Sequence, residues 1–224
     1  MFRVLLRLRK GEPVKYIGHL DLMRAFEHAL RRARIPVLYS SGFNPRPKMH
    51  FGGAIGVGVT SDDERLMLDL TEHEPAQEIM DRLNRVMPVG MEILGAEDVP
   101  EGTKPLAALN AAEYRITFRS EADEKEVQSA VDDLVAACEI KVVRKRDETK
   151  EVDIRPHILG IEVGECRMGK LVLTARLMAG SSGGARPQDL IQTLAERIPG
   201  LEAEGIHKNR SLGIEESRSQ GAKE

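Results

Sequence analysis

The chain has 224 residues, 41% hydrophobic and 31% charged, with a formal net charge of -3; this balance excludes a collagen-like, low-complexity or wholly disordered protein and gives enough chain for one large or two small domains. No apolar run approaches the roughly 20 residues that cross a bilayer as a helix, and the two cysteines, Cys138 and Cys166, are too few for a disulfide framework or a cysteine-built metal site, so free thiols are expected. The opening MFRVLLRLRK lacks the apolar region and small-residue cleavage site of a secretory signal, so a cytoplasmic protein without membrane attachment is expected.

Residues 2–9 alternate, with Phe2, Val4 and Leu6 on one side and Arg3, Leu5 and Arg7 on the other, which predicts a strand. From Gly18 the period changes. Met23, Phe26, Leu30 and Ala33 share one face of a helix that ends before Pro36. Residues 37–40 read as a second short strand, and 41–58, rich in Gly and Pro, as a loop or irregular hairpin. Residues 66–70 alternate as a third strand, 75–86 are helical by the spacing of Ile79, Leu83 and Val86, and 91–96 form a fourth strand.

Pro100 and Pro105 bracket a polar stretch that reads as a linker, after which the pattern repeats. Residues 114–118 predict a strand, 125–137 a helix through Val127, Val131, Leu134 and Val135, 140–143 and 171–177 two strands, and 186–197 a helix. A further strand is expected within 150–166, as a hairpin arm ahead of Leu171, and a weak last one near Gly205. The fold expected is α+β: two tandem ferredoxin-like (βαββαβ) domains with antiparallel sheets, at 1–104 and 105–214, followed by a disordered tail at 215–224.

Charge is unevenly spread. Residues 1–50 hold 11 Lys and Arg against 3 Asp and Glu, whereas residues 51–140 hold 7 against 20. A basic block suggests a polyanionic partner or an acidic segment of the same chain. On the first predicted helix Arg24, His28, Arg31 and Arg32 form a cationic stripe opposite the apolar face, either to lie along phosphates or as a solvated face with Glu27 pairing Arg31. In SGFNPRPKMHFG, Pro45 and Pro47 preset the backbone around Arg46, Lys48 and His50, with Phe43 and Phe51 alongside. Basic groups beside aromatic rings suit single-stranded RNA, unless both rings are buried anchors of the loop. The glycines of GGAIGVGV lack the spacing and lysine of a phosphate loop and read as close backbone packing or a bulged strand.

Tyr16, His19 and Asp21 lie where the first strand meets the helix. There His19 or His50 could act as general base on a ribose hydroxyl with Lys48 stabilising charge, while a structural His19 is the plainer reading. His19 and His28 fall on opposite helix faces, so no metal is expected between them. In the second half, a charged patch at Arg144, Lys145 and Arg146 precedes Lys150 and the stiff step Arg155-Pro156, and Arg186-Pro187 repeats that step. Arg155 is expected either to pair with Asp153 or to bind phosphate, and Arg186, Lys208 and Arg210 are further candidate contacts.

Tyr16-Ile17-Gly18-His19-Leu20-Asp21, Ser41-Gly42-Phe43-Asn44-Pro45-Arg46-Pro47-Lys48 and Val152-Asp153-Ile154-Arg155-Pro156 resemble the signature stretches of the radical-SAM-linked domain family. This bacterial family of unknown function is found fused to, or encoded beside, cobalamin-binding radical SAM proteins. The resemblance runs from residue 2 to about 214 and implies a partner, a radical SAM protein, rather than a reaction. The chain has no CxxxCxxC to hold an iron–sulfur cluster, so it looks like the stand-alone accessory form without a cofactor of its own. Its first half also broadly resembles the ferredoxin-like RNA-processing proteins of CRISPR systems. The expected function is a non-catalytic RNA-binding accessory to a radical SAM enzyme in RNA modification or processing. The alternatives are a metal-independent endoribonuclease of the CRISPR type and a protein–protein adaptor that uses the acidic stretch 62–139.

Overall fold

Alternation along β1 (Phe2–Lys10) divides the first sheet into two chemically different faces: Val4, Leu6 and Leu8 are buried on one, while Arg3, Leu5, Arg7 and Arg9 lie on the other. The computed structural model describes residues 2–100, 103, 106, 109–144, 151–167, 169–178 and 184–213. The chain divides into two units, Met1–Ala108 and Leu109–Glu224. The tail at 215–224, the patch residues Lys145, Arg146 and Lys150, and most of the expected linker lie outside the described residues. Among the described residues no helix is long and apolar enough to cross a membrane.

In the first unit, α1 (His19–Arg32) buries Leu22, Phe26, Ala29 and Leu30. It stops at a left-handed residue, Arg34 at φ 53°, with the Ile35 N–H donating back to the Leu30 carbonyl at 3.1 Å, ahead of Pro36. The unit continues through β2 (Met49–Phe51), β3 (Val59–Leu70), α2 (Ala76–Asn84) and β4 (Met91–Asp98). The strands run β4-β1-β3, with β2 on the other edge of β3, and each pairing is antiparallel. Leu66, Leu68 and Leu70 of β3 join the buried face of β1.

Two features differ from the sequence reading. The second strand is not at 37–40, where only isolated bridges occur, Val37 to Leu70 and Tyr39 to Pro47; the ladder strand is β2, which starts twelve residues later. Pro36 and Pro47 lack the N–H a ladder needs, and the Asp69 backbone splits its bonds, accepting from Leu38 and donating to Lys48. The third strand also begins seven residues early, at Val59, because polar residues 60–65 are drawn into register with β1. Lys10, buried at the end of β1, donates from Nζ to the carbonyls of Lys15 at 2.8 Å and Gly56 at 3.1 Å and so pins the glycine-rich segment. Burial pushes its ammonium below the ordinary lysine range, against the opposing pull of Glu64.

The second unit contains β5 (Leu109–Arg119), α3 (Glu124–Ala136), β6 (Lys141–Val143), β7 (Glu151–Asp153), β8 (Ile158–Arg167), β9 (Lys170–Met178), α4 (Pro187–Ala195) and β10 (Glu202–Gly213). Its sheet runs β10-β5-β9-β8, antiparallel throughout. Helices and sheet share a core that includes Ile116, Phe118, Val127, Leu134, Leu171, Leu173, Leu190 and Leu194. A capping box opens α3: the Asp123 carboxylate accepts from the Glu126 N–H at 2.9 Å and the Glu126 carboxylate from the Asp123 N–H at 3.2 Å. The expected strand at 140–143 does not join this sheet. It pairs with β7 as a separate hairpin, and β8 takes the sheet position beside β9. The last strand, weak in sequence, is twelve residues long and pairs along β5.

The β7 hairpin is anchored by Asp153, whose carboxylate accepts from the backbone N–H of Ile140 at 2.9 Å and of Arg155 at 3.0 Å. These bonds, Ile140's first, hold the carboxyl below its usual range. The stability Asp153 contributes is therefore complete above the unfolded-state value and is lost as the pH falls through the lower folded-state value. Asp153→Ala is expected to lower the thermal midpoint at neutral pH and to flatten its fall below about pH 4; a variant curve parallel to wild type in acid would show that the carboxylate does not titrate this way.

Candidate nucleic-acid interface

The basic loop is built as a small hairpin. The Lys48 N–H donates to the Leu38 carbonyl at 2.7 Å, the Ser40 N–H to the Arg46 carbonyl at 2.9 Å, and the Arg46 N–H to Ser40 Oγ at 3.0 Å, so residues 41–45 are turned outward. Gly42 sits at φ 132°, a conformation that L residues rarely adopt. With Pro45 and Pro47 fixing φ on the return arm, the tip is a preset turn. At that tip Phe43 has 106% relative exposure, its ring entirely in solvent. Arg46, also exposed, reaches back to α1, where its Nη1 is 3.7 Å from Glu27 Oε1.

Glu27 thus meets the loop, not Arg31 as the sequence suggested. Arg24, one helical turn before Glu27, makes an exposed pair with Asp21 at 3.2 Å, a contact of little energetic weight. Arg31, one turn after, is exposed and makes no ion pair among the described residues. Arg24 and Arg31, at i−3 and i+4 from Glu27, share its side of α1, and Arg46 of the hairpin reaches that side. His28 is exposed on the same helix. Arg32 is committed elsewhere, its Nη2 donating to the Val86 carbonyl at 2.7 Å. Tyr16 is exposed at the start of this region, with Lys15 Nζ 5.2 Å from its ring centroid.

The two phenylalanines of the motif have separate fates. Phe51 packs edge-to-face on His19, centroids 5.2 Å apart, and on buried Phe26, 5.9 Å apart, so it anchors the loop while Phe43 is free. His50, the preceding residue, must point to the other side of β2. There its Nε2 lies 3.3 Å from Oδ2 of Asp69, whose carboxylate is buried and also receives Arg3 Nε at 3.0 Å. His19 and His50 accordingly lie on opposite faces of β2 and do not converge. His19 Nδ1 is buried without a hydrogen-bond partner among the described residues. Lys48 is half-buried, its main chain held by Leu38 and Asp69.

In the second unit the Arg155 guanidinium is turned inward. Nε and Nη2 donate to the Val135 carbonyl in the last turn of α3, at 3.0 and 2.6 Å, and Nη1 to the Ile158 carbonyl at 3.2 Å. It satisfies carbonyls that the helix end leaves open, and it is the Arg155 backbone N–H, not the guanidinium, that meets Asp153. Arg144 binds Asp189 and the Gly184 carbonyl, both at 2.7 Å. Arg186 is exposed at the start of α4, its N–H donating to Asp189 at 3.0 Å. Arg210 pairs with Glu113 at 2.9 Å and Lys208 is buried.

Sequence reasoning did not single out Arg7 and Arg65, which stand directly opposite each other on the sheet face away from the buried leucines. Their juxtaposition depends on the register of strands more than fifty residues apart, and local periodicity carries no trace of it.

No curated protein matches the sequence. Among solved structures the chain is similar in fold to a chain of a Cbf5–Nop10–Gar1 complex, with a TM-score of 0.56 and 12% identity over 93% of this chain and 48% of that one. It is likewise similar to a chain of an H/ACA RNP bound to a substrate RNA containing 2'-deoxyuridine, at a TM-score of 0.52 and 12% identity over 93% and 47%. An archaeal box H/ACA sRNP Nop10–Cbf5 complex gives 0.51. The chain spans about half the length of these neighbours, and at such identity the likeness is one of fold. In sequence, residues 3–187 match the family DUF2344, and the chain belongs to this family of uncharacterised proteins conserved in bacteria.

Proposed function

We propose that this protein is a non-catalytic RNA-binding accessory of a radical SAM enzyme in RNA modification or processing, and that each unit is a ferredoxin-like βαββαβ fold, the second carrying the β6–β7 hairpin as an insertion. The observation that carries the reading is the tip of the 38–48 hairpin: a fully solvent-exposed phenylalanine on a proline-braced turn whose Arg46 reaches the side of α1 that carries Arg24 and Arg31. An exposed ring offers a stacking platform to an unpaired base, and the adjacent guanidinium groups neutralise its phosphates. Fold likeness to chains of H/ACA complexes, one holding an RNA, supports the same direction. The radical SAM partner rests on the resemblance of the three signature stretches.

The test is a titration of purified protein against total cellular RNA at several salt concentrations, with the RNA ends examined afterwards. Binding with intact ends is expected. Arg46→Ala with Lys48→Ala should weaken it and lower the salt slope by about 1.4, at roughly 0.7 per single-strand phosphate contact; unchanged affinity and slope would refute this RNA surface. New RNA ends that vanish in His50→Ala would replace the accessory reading with a nuclease.

A further inference from the structure

On the face of the first sheet away from the buried leucines, Arg7 of β1 is directly opposite Arg65 of β3, and on its other flank it is opposite Gly95 of β4. Like charges in direct cross-strand register destabilise a sheet. Other arginines of β1 are matched by carboxylates: Arg3 by Asp69 at 3.0 Å, Arg9 by Asp62 at 2.7 Å and Glu92 at 2.9 Å. Arg7 is exposed and makes no ion pair among the described residues. Arg65 is held through Nε by Asp63 Oδ1 at 2.6 Å, which orients its guanidinium, and its two Nη atoms make no hydrogen bond among the described residues.

The backbone of β4 opens space at this point. Its register with β1 slips between Arg7 and Leu8, a bulge of the kind that re-aims side chains beside binding sites. Gly95 adds no side chain, and a Cβ there would already touch Arg7 Nε at 3.8 Å. The result is an open groove of about 270 Å³ lined by Leu5, Arg7, Arg65, Gly95, Ala96 and Glu97. Two guanidinium forks suit a phosphate with two free oxygens. Glu97 also lines the groove and Asp63 already pairs with Arg65, so the local charge favours a singly charged phosphodiester over a terminal dianionic phosphate. Leu5, half-buried in the groove lining, offers an apolar edge for a ribose or base.

We propose that Arg7 and Arg65 bind a phosphodiester of an RNA strand in this groove of the first sheet, a contact separate from the Phe43 hairpin; the RNA reading above supplies the source of the phosphodiester. The experiment compares a short fluorescein-labelled oligouridylate with UMP, by anisotropy and competition, for wild type, Arg7→Gln, Gly95→Leu and Arg46→Ala. Arg7→Gln should bind the oligonucleotide several-fold more weakly with a salt slope lower by about 0.7, while its thermal midpoint equals or exceeds that of wild type because a like-charge pair has gone. Gly95→Leu, which fills the groove and keeps the charges, should reproduce the loss, and UMP should compete poorly. Wild-type affinity and slope in Arg7→Gln, alongside weaker binding in Arg46→Ala, would overturn the groove and leave the RNA reading intact. No binding of the oligonucleotide by wild type would overturn both. UMP competing as well as the oligonucleotide, in an Arg7-dependent way, would overturn the strand assignment in favour of a small phosphorylated ligand.

Discussion

Phe26→Ala is expected to destabilise the first unit by about 3 to 5 kcal/mol, the cost of truncating a buried aromatic side chain. Phe26 is 1% exposed at the centre of α1, and its ring meets Phe51 edge-to-face at 5.9 Å. A helix of fourteen residues is marginal alone, so α1 depends on this packing. Phe51 in turn packs on His19 at 5.2 Å and ends β2, the strand that follows the basic hairpin, so the truncation loosens the loop as well as the helix. At roughly 4 to 8 °C per kcal/mol for a unit of this size, the thermal midpoint should fall by more than about 12 °C. Urea unfolding monitored by circular dichroism gives the free energy, and Phe26→Leu, which leaves a smaller cavity, should lose distinctly less. A loss below about 1 kcal/mol in Phe26→Ala would mean that the helix is held by contacts other than this aromatic pair.

The sequence made β1, α1, α2, β4 and α3 legible because each carries a period of its own: alternation through Val4, Leu6 and Leu8, or helical spacing through Phe26 and Leu30. What it hid was set by partners distant in the chain. The polar start of β3 and the whole of β10 have little apolar alternation; they are strands because β1 and β5 offer them ladder bonds. The ladder of β6 with β7 uses residues that fit a sheet edge, and the Asp153 carboxylate, bonding to Ile140 and Arg155, helps to hold it as a separate element. The candidate site shows the same division. Exposed Arg24, His28, Arg31, Phe43 and Arg46 come from residues that the sequence marked, whereas the inward turn of Arg155 and the facing of Arg7 and Arg65 follow from tertiary register. The separation of His19 from His50 follows from the pleat of β2, once Phe51 is known to face the core.

Phe43→Ala is expected to weaken binding of single-stranded RNA by about 1 to 3 kcal/mol, the range for one base stacked on one ring, or roughly 5- to 150-fold. The side chain contributes nothing to the core, since it is fully exposed, so the thermal midpoint should stay within the scatter of surface substitutions. A stacking role is separable from a merely greasy one. Phe43→Trp should keep or improve the affinity, whereas Phe43→Leu, which retains apolar area but no aromatic face, should behave nearly like alanine. It is also separable from a charge role, because Phe43→Ala should leave the salt slope unchanged while Arg46→Ala lowers it. The two residues share one short turn, so their effects should couple, and the Phe43→Ala, Arg46→Ala double variant should lose less than the sum of the single losses. If alanine and tryptophan at position 43 bind RNA equally well, the ring is not a platform, and the basic side of α1 would have to hold RNA by charge alone.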